Sequence, residues 1–160
     1  LVDKACRLLG GNVGNGKMQL TKAVKYIDKN IGTITRQSGL YATAAWGNTM
    51  QPDFLNQVIV VETRLTALQT MEAILIIEKK MGRIRTVKNA PRIIDIDILF
   101  FNREIIEEKH LVVPHPQIQN RRFVLVPLNE LSPNLVHPVL KRSVHQLLVH
   151  CRDILNVKKF

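Results

Sequence analysis

Cysteine is scarce in this chain of 160 residues, which holds only Cys6 and Cys151. Two cysteines so far apart make neither a disulfide framework nor a metal knuckle. They fit a reducing, cytoplasmic setting. No apolar run approaches the ~18–20 residues that cross a bilayer. The opening LVDKACRLLGGN lacks the apolar core and small-residue cleavage site of a secretory leader, so none is expected. Internal repeats, low-complexity tracts and Ser/Gly linkers are also missing, and one domain over residues 1–160 is expected. Apolar residues at 46% and charged residues at 22% are ordinary globular values, which excludes a disordered or fibrous chain.

Acidic residues are outnumbered, and the formal net charge is +10. Its placement says more than its sum. Lys79, Lys80, Arg83, Arg85, Lys88 and Arg92 fall within residues 79–92 with no acid among them, and Asp95 and Asp97 follow at once. Anionic ligands are implied. The adjacent carboxylates, however, argue against a surface made for a nucleic-acid backbone.

Residues 4–9 read as a strand that runs into the glycine-rich turn at Gly10 and Gly11. Leu20, Ala23, Val24, Ile27 and Ile31 predict an amphipathic helix over about 16–30. Residues 32–42 read as one strand and 54–63 as another. Thr66, with Gln69 three residues on, predicts a capped helix that buries Leu68, Met71 and Leu75 and stops at Gly82. A basic loop at 83–92 leads to a strand at 93–101, followed by short extended pieces near 104–106 and 110–113. A proline-rich turn at His115-Pro116, a strand at 122–127 and a helix from about Ser143 complete the pattern. Two strand–helix–strand units predict an α+β, ferredoxin-like split βαβ sandwich, with an antiparallel sheet and helices packed on it. Helices on one face would leave the other face free for a site.

Asp95-Ile96-Asp97 is the sharpest chemical signal. On a strand, Ile94, Ile96 and Ile98 face one way and the two aspartates the other. Two carboxylates ~7 Å apart along a strand can grip hard cations, and Mg²⁺ typically takes one or two carboxylates plus substrate phosphates. The bland alternative is an edge strand with two solvated acids. Arg83, Arg85 and Arg92 offer planar forks suited to phosphate oxygens, or merely a solvated basic loop. Glu78 falls where the helix stripe calls for an apolar residue, so it either orients an arginine, contacts a ligand or marks the stripe's end. The lone Trp46, with Phe54 and Phe123, could clamp a flat heterocycle that Asn56 hydrogen-bonds, or the aromatics could simply be core.

Gly11 to Lys17 matches the first seven positions of a phosphate-binding P-loop, but Met18 stands where a metal-ligating hydroxyl is required. A basic α+β RNA-binding module is a second competing class. It lacks support because the usual aromatic strand motif is absent and the aspartates would repel RNA.

Taken in order, GGNVGN (10–15), Y-x-T (41–43), Q-P-D-F-L-N (51–56), E-x-x-x-G-R-x-R (78–85), A-P-R-I-I-D-I-D-I-L (90–99), V-P-H-P (113–116) and N-R-x-F-V-L-x-P-L (120–128) span nearly the whole chain. This series resembles the 6-hydroxymethyl-7,8-dihydropterin pyrophosphokinases. The resemblance implies a ferredoxin-like fold and transfer of pyrophosphate from ATP to the pterin hydroxymethyl group, with release of AMP, in folate biosynthesis. It implies that Asp95 and Asp97 hold two Mg²⁺ ions and that Arg83 and Arg92 stabilise the transferring group. It places Glu78, Arg85, Ile98, His115 and Arg121 at the nucleotide, and Thr43, Ala44, Trp46, Phe54, Asn56 and Phe123 at the pterin. A cytoplasmic monomer with no nucleic-acid or membrane partner is expected. The chain departs from the family's usual pattern at GGNVGN, Leu75, Asn89-Ala90, His110 and Pro116.

Overall fold

Two long strands form the centre of the sheet. β1 (Asp3–Gly11) and β4 (Phe54–Thr63) pair antiparallel along their whole length, with Asp3 opposite Thr63 and Gly11 opposite Leu55. β4 is apolar on both sides, because Val58 packs into one core and Ile59 and Val61 into another. This computed structural model describes residues 3–11, 16–43, 54–82 and 94–160.

α1 (Gly16–Asn30) carries the chain from β1 to β2 (Gly32–Gln37), and α2 (Ala67–Lys80) carries it from β4 to β5 (Asp95–Phe101). β4 lies between β1 and β2, while β1 lies between β4 and β5. All these pairings are antiparallel, so the two βαβ units interleave, which is the ferredoxin-like arrangement expected from the sequence. The single strand expected over 32–42 is broken. β3 (Tyr41–Thr43) pairs with the start of β4 and β2 with its end. At the break, Ser38 N–H donates to the Val58 carbonyl at 2.8 Å, and Ser38 Oγ accepts from Val58 N–H at 2.9 Å. A hydroxyl thus replaces one main-chain partner, and the strand can change course without stranding a buried amide.

Leu20, Ala23 and Ile27 of α1 and Ala67, Ile74 and Ile77 of α2 pack on the sheet face that carries Leu9, Ile59, Ile96 and Ile98. The capping box of α2 forms as predicted, with Thr66 and Gln69 exchanging side-chain and main-chain bonds. Its buried face matches the prediction only at Met71, which packs partly buried against the core. Ala67, Thr70, Ile74, Ile77 and Glu78 are buried, whereas Leu68 and Leu75 are 45% and 43% exposed. Ile74 and Ile77 carry most of the apolar contact with the sheet, and Leu68 and Leu75 turn outward.

The opposite face is not free. α3 (Arg122–Leu131) and α4 (Val144–Val149) cover it, with Val124, Leu125, Leu128, Val144 and Leu147 packed on Val58, Leu99 and Phe100. α3 replaces the strand expected over 122–127. Its apolar residues follow a helical spacing, and its first amide is capped from afar: Asp153 Oδ2 accepts from Arg122 N–H at 3.0 Å. The helix continues through Pro127, which forgoes one main-chain bond. β6 (Ile106–Glu108) and β7 (Leu111–Val113) form a hairpin beside β5, and β8 (Val157–Lys159) extends the sheet beyond β3. Among the described residues no helix is long and apolar enough to cross a membrane.

His137 is buried under the second core. Its Nδ1 accepts from Val139 and Leu140 N–H at 3.2 and 3.1 Å, and its ring meets Phe100 edge-on. Both contacts with Nδ1 require it to be unprotonated, and burial holds the imidazole below its ordinary pKa of 6.5. The contribution of such a group to stability is complete above its unfolded pKa and is lost as pH falls through the lower folded value. The unfolding midpoint should therefore drop on acidification below about 6.5. His137→Asn, which keeps an acceptor but cannot charge, should flatten that slope. Melts across this range check it, and an unchanged slope would refute the role.

Candidate active site

Antiparallel pairing gathers four strand ends at one end of the sheet. β1 finishes there at Gly10 and Gly11 and β3 at Thr43, while β4 starts there at Phe54 and β5 at Asp95. The register sets rows across these ends. Asp95 is opposite Gly10, Gly10 opposite Asn56 and Asn56 opposite Tyr41; one step on, Thr43 is opposite Phe54. Residues directly opposite share a face. Asp97 lies opposite Leu8, which lies opposite Val58 of the α3 core. Thr43, Phe54, Asn56, Asp95 and Asp97 therefore share the α3 side of the sheet. Phe123 reaches that side from α3 and packs, half-buried, against its core. Thr43 and Asn56 are buried, and Phe54 is half-buried.

β5 is the outer strand, as the bland alternative required, but its acids are half-buried rather than freely solvated. The alternation expected from the sequence holds, since Ile94, Ile96 and Ile98 enter the α1/α2 core. Beyond Ile98 a register shift leaves Leu99 as an extra residue, and Phe100 faces the opposite core. The outer edge of β5 borders a cleft of about 700 Å³. Met71, Leu75 and Glu78 wall it from α2, and His110, His115, Pro116 and Arg121 from the segment after β6. Met71 packs against the core as expected and also lines the cleft, whereas Leu75, which the sequence pattern assigned to the core, is a cleft residue. Glu78 on the same stripe was the available signal.

Glu78 is only 2% exposed, and its Oε2 accepts from Ile96 N–H at 3.1 Å. That amide points away from β1. By the two-residue period, the amide of Ile98 also faces the cleft edge. His115 N–H donates to the Leu99 carbonyl at 2.9 Å, and its Nδ1 accepts from Gln117 N–H at 3.1 Å. Nε2 is then the protonated nitrogen of the neutral ring. Burial, and next the positive charge of Arg121, push the His115 pKa down, while Asp95 pulls it up. Arg121 is held with its guanidinium 5.7 Å from the centre of the Phe123 ring.

The structure thus brings Asp95, Asp97, Ile98, His115, Arg121 and Glu78 to one cleft, with Thr43, Phe54, Asn56 and Phe123 on the adjoining sheet face. Ala44, Trp46, Arg83, Arg85 and Arg92 lie outside the described residues, as does the basic loop 83–92. Lys17 of the P-loop-like stretch is on α1 and lines a groove with Lys22 and Lys25, apart from the residues of the cleft. Among the described residues, no three His, Cys, Asp or Glu side chains are gathered around a point where a metal could bind. A carboxylate pair suits an ion that arrives with phosphate and water ligands of its own, as Mg²⁺ does.

The sequence profile of the 7,8-dihydro-6-hydroxymethylpterin-pyrophosphokinase family matches residues 7–133. The chain belongs to this family. A pyrophosphokinase from Aquifex aeolicus is 37% identical over 138 residues, 86% of both chains, and one from Bacillus subtilis is 40% identical over 124 residues, 77% of this chain and 74% of the other. A wild-type HPPK-DHPS structure from Plasmodium falciparum, with pterin and p-hydroxybenzoate, superposes with a TM-score of 0.76 at 21% identity. It covers 93% of this chain, which spans 43% of that longer one, and it supports the ferredoxin-like fold. Members of the pyrophosphokinase family are ATP-dependent diphosphotransferases of folate synthesis, and membership assigns that activity to this chain.

Proposed function

We propose that the cleft along β5 takes ATP and that the adjoining sheet end takes 6-hydroxymethyl-7,8-dihydropterin, so that pyrophosphate passes between them at Asp95 and Asp97. One observation carries this reading. The aspartate pair lies at the junction of a cleft walled by His115 and Arg121 and a sheet end carrying Thr43, Phe54 and Asn56. Asp95 and Asp97 would hold two Mg²⁺ ions, which would supply neutralisation of phosphate charge.

On this reading Leu75 and Met71 cover one face of the adenine, and the main-chain edge at Ile98 hydrogen-bonds it. Arg121 and the Nε2–H of neutral His115 face the phosphates. Arg83, Arg85 and Arg92, from the segment joining α2 to β5, would neutralise the transferring group. Thr43 and Asn56, with backbone at Ala44, bind the polar edge of the pterin, while Trp46, Phe54 and Phe123 hold its ring faces. The hydroxymethyl oxygen then attacks the β-phosphorus, the bond from that phosphorus to the oxygen bridging the α-phosphate breaks, and AMP leaves. Positioning and charge neutralisation supply the acceleration. Excluding water from the cleft limits hydrolysis.

The whole chain would act as one domain and as a cytoplasmic monomer. RNA binding is disfavoured because, among the described residues, helices pack on both faces of the sheet. Chromatography of the nucleotide product tests the reading. AMP should form from ATP only with both Mg²⁺ and the pterin alcohol present. Formation of ADP would overturn it.

A further inference from the structure

Gly10 occupies the one position in the sheet that is a direct neighbour of both Asn56 and Asp95. Direct partners across an antiparallel pair lie about 4.5–5.5 Å apart, which puts Asn56 and Asp95 on either side of a gap of roughly 10 Å. With no side chain at Gly10, this gap is open on the shared face. The Asn56 side chain uses it: a Cβ added at Gly10 would stand 2.7 Å from Asn56 Oδ1, while the next atoms, Asn56 Cγ and the Leu55 carbonyl, are 3.7 Å away. The conflict is thus with one amide oxygen and not with the strand. Asn56 is only 5% exposed, so its amide has little room to retreat.

We propose that Gly10 is a specificity-determining position. By leaving the space over β1 empty, it lets the Asn56 amide lie toward Asp95, and this fixes how far the pterin sits from the site of phosphoryl transfer. The inference rests on the reading that Asn56 binds the pterin. Gly10 touches no reacting atom in this account and acts through Asn56. A methyl group at this position would turn the amide aside, so pterin binding should suffer and ATP binding should not.

A double-mutant cycle tests it, with steady-state KM for the pterin alcohol and for ATP as readouts. Asn56→Ala should raise the pterin KM; if it does not, the underlying reading of the pocket fails. Gly10→Ala should raise the pterin KM about 10-fold or more and leave the KM for ATP within roughly twofold. In the Asn56→Ala background, where the clashing oxygen is gone, Gly10→Ala should add little. Should Gly10→Ala lower the unfolding midpoint, the double variant should restore it for the same reason. Equal effects of Gly10→Ala in both backgrounds, a rise in the KM for ATP to match, or no effect at all would each overturn the proposal.

Discussion

Replacing Asp97 with alanine is expected to lower kcat/KM by about 10³-fold, or roughly 4 kcal/mol of transition-state stabilisation, while the protein stays folded. The size follows from the chemistry. Phosphoryl transfer is accelerated almost entirely by positioning and by neutralising charge on phosphate oxygens, and Asp97 is half of the pair proposed to hold the neutralising ions. Folding should be spared because Asp97 lies on an outer strand, half-buried, while its neighbours Ile96 and Ile98 make the core contacts. Asp97→Asn sharpens the test by keeping the shape and removing the charge. Both variants should require more Mg²⁺ to reach half-maximal rate and melt within a few degrees of the wild type. Near-normal turnover in Asp97→Asn would remove this residue from the reaction.

The aspartate pair was legible in the sequence because one strand wrote both of its environments in alternate letters. Ile94, Ile96 and Ile98 name the core face, and Asp95 and Asp97 the other. The start of α2 was legible for a similar reason, since Thr66 and Gln69 satisfy each other's amides within one turn. What escaped depends on partners remote in sequence. α3 has no local cap at Arg121, and its first amide is held by Asp153, 31 residues later. The run Phe123-Val124-Leu125-Val126 then reads as a strand. β8 has only three residues and pairs with β3, while its Lys159 meets Glu130 of α3. Glu130 in turn accepts from the Tyr41 hydroxyl at 2.5 Å, a contact across 89 positions that no local pattern records. At the site, Asp95, Asp97, Glu78 and Asn56 were found by type and spacing, whereas Thr43, His115 and Arg121 came only from the family resemblance. Gly10 was found by neither, because its contribution is an absence of atoms next to a residue 46 positions away.

The sequence left Glu78 to orient an arginine, contact a ligand or mark the end of a stripe, and the structure adds a further role as a support for the strand. The Glu78 carboxylate is buried on α2 and accepts the amide of Ile96, the residue between the two aspartates. Fixing that amide fixes the backbone from which both Asp95 and Asp97 project, on a strand that, among the described residues, has a sheet neighbour on one side only. Glu78→Leu fills similar space without an acceptor, which strands a buried amide at a cost of about 1–3 kcal/mol. A lower unfolding midpoint and a fall in kcat of about 10²-fold are expected, since a misplacement near 1 Å at the reacting centre costs that much. Glu78→Gln keeps an acceptor oxygen and gives up the charge. If the residue acts through Ile96, the glutamine variant should retain most of the turnover and the Mg²⁺ dependence of the wild type. If Glu78→Gln instead loses as much activity as Glu78→Leu while melting like the wild type, its charge is used by the bound nucleotide and the supporting role is refuted.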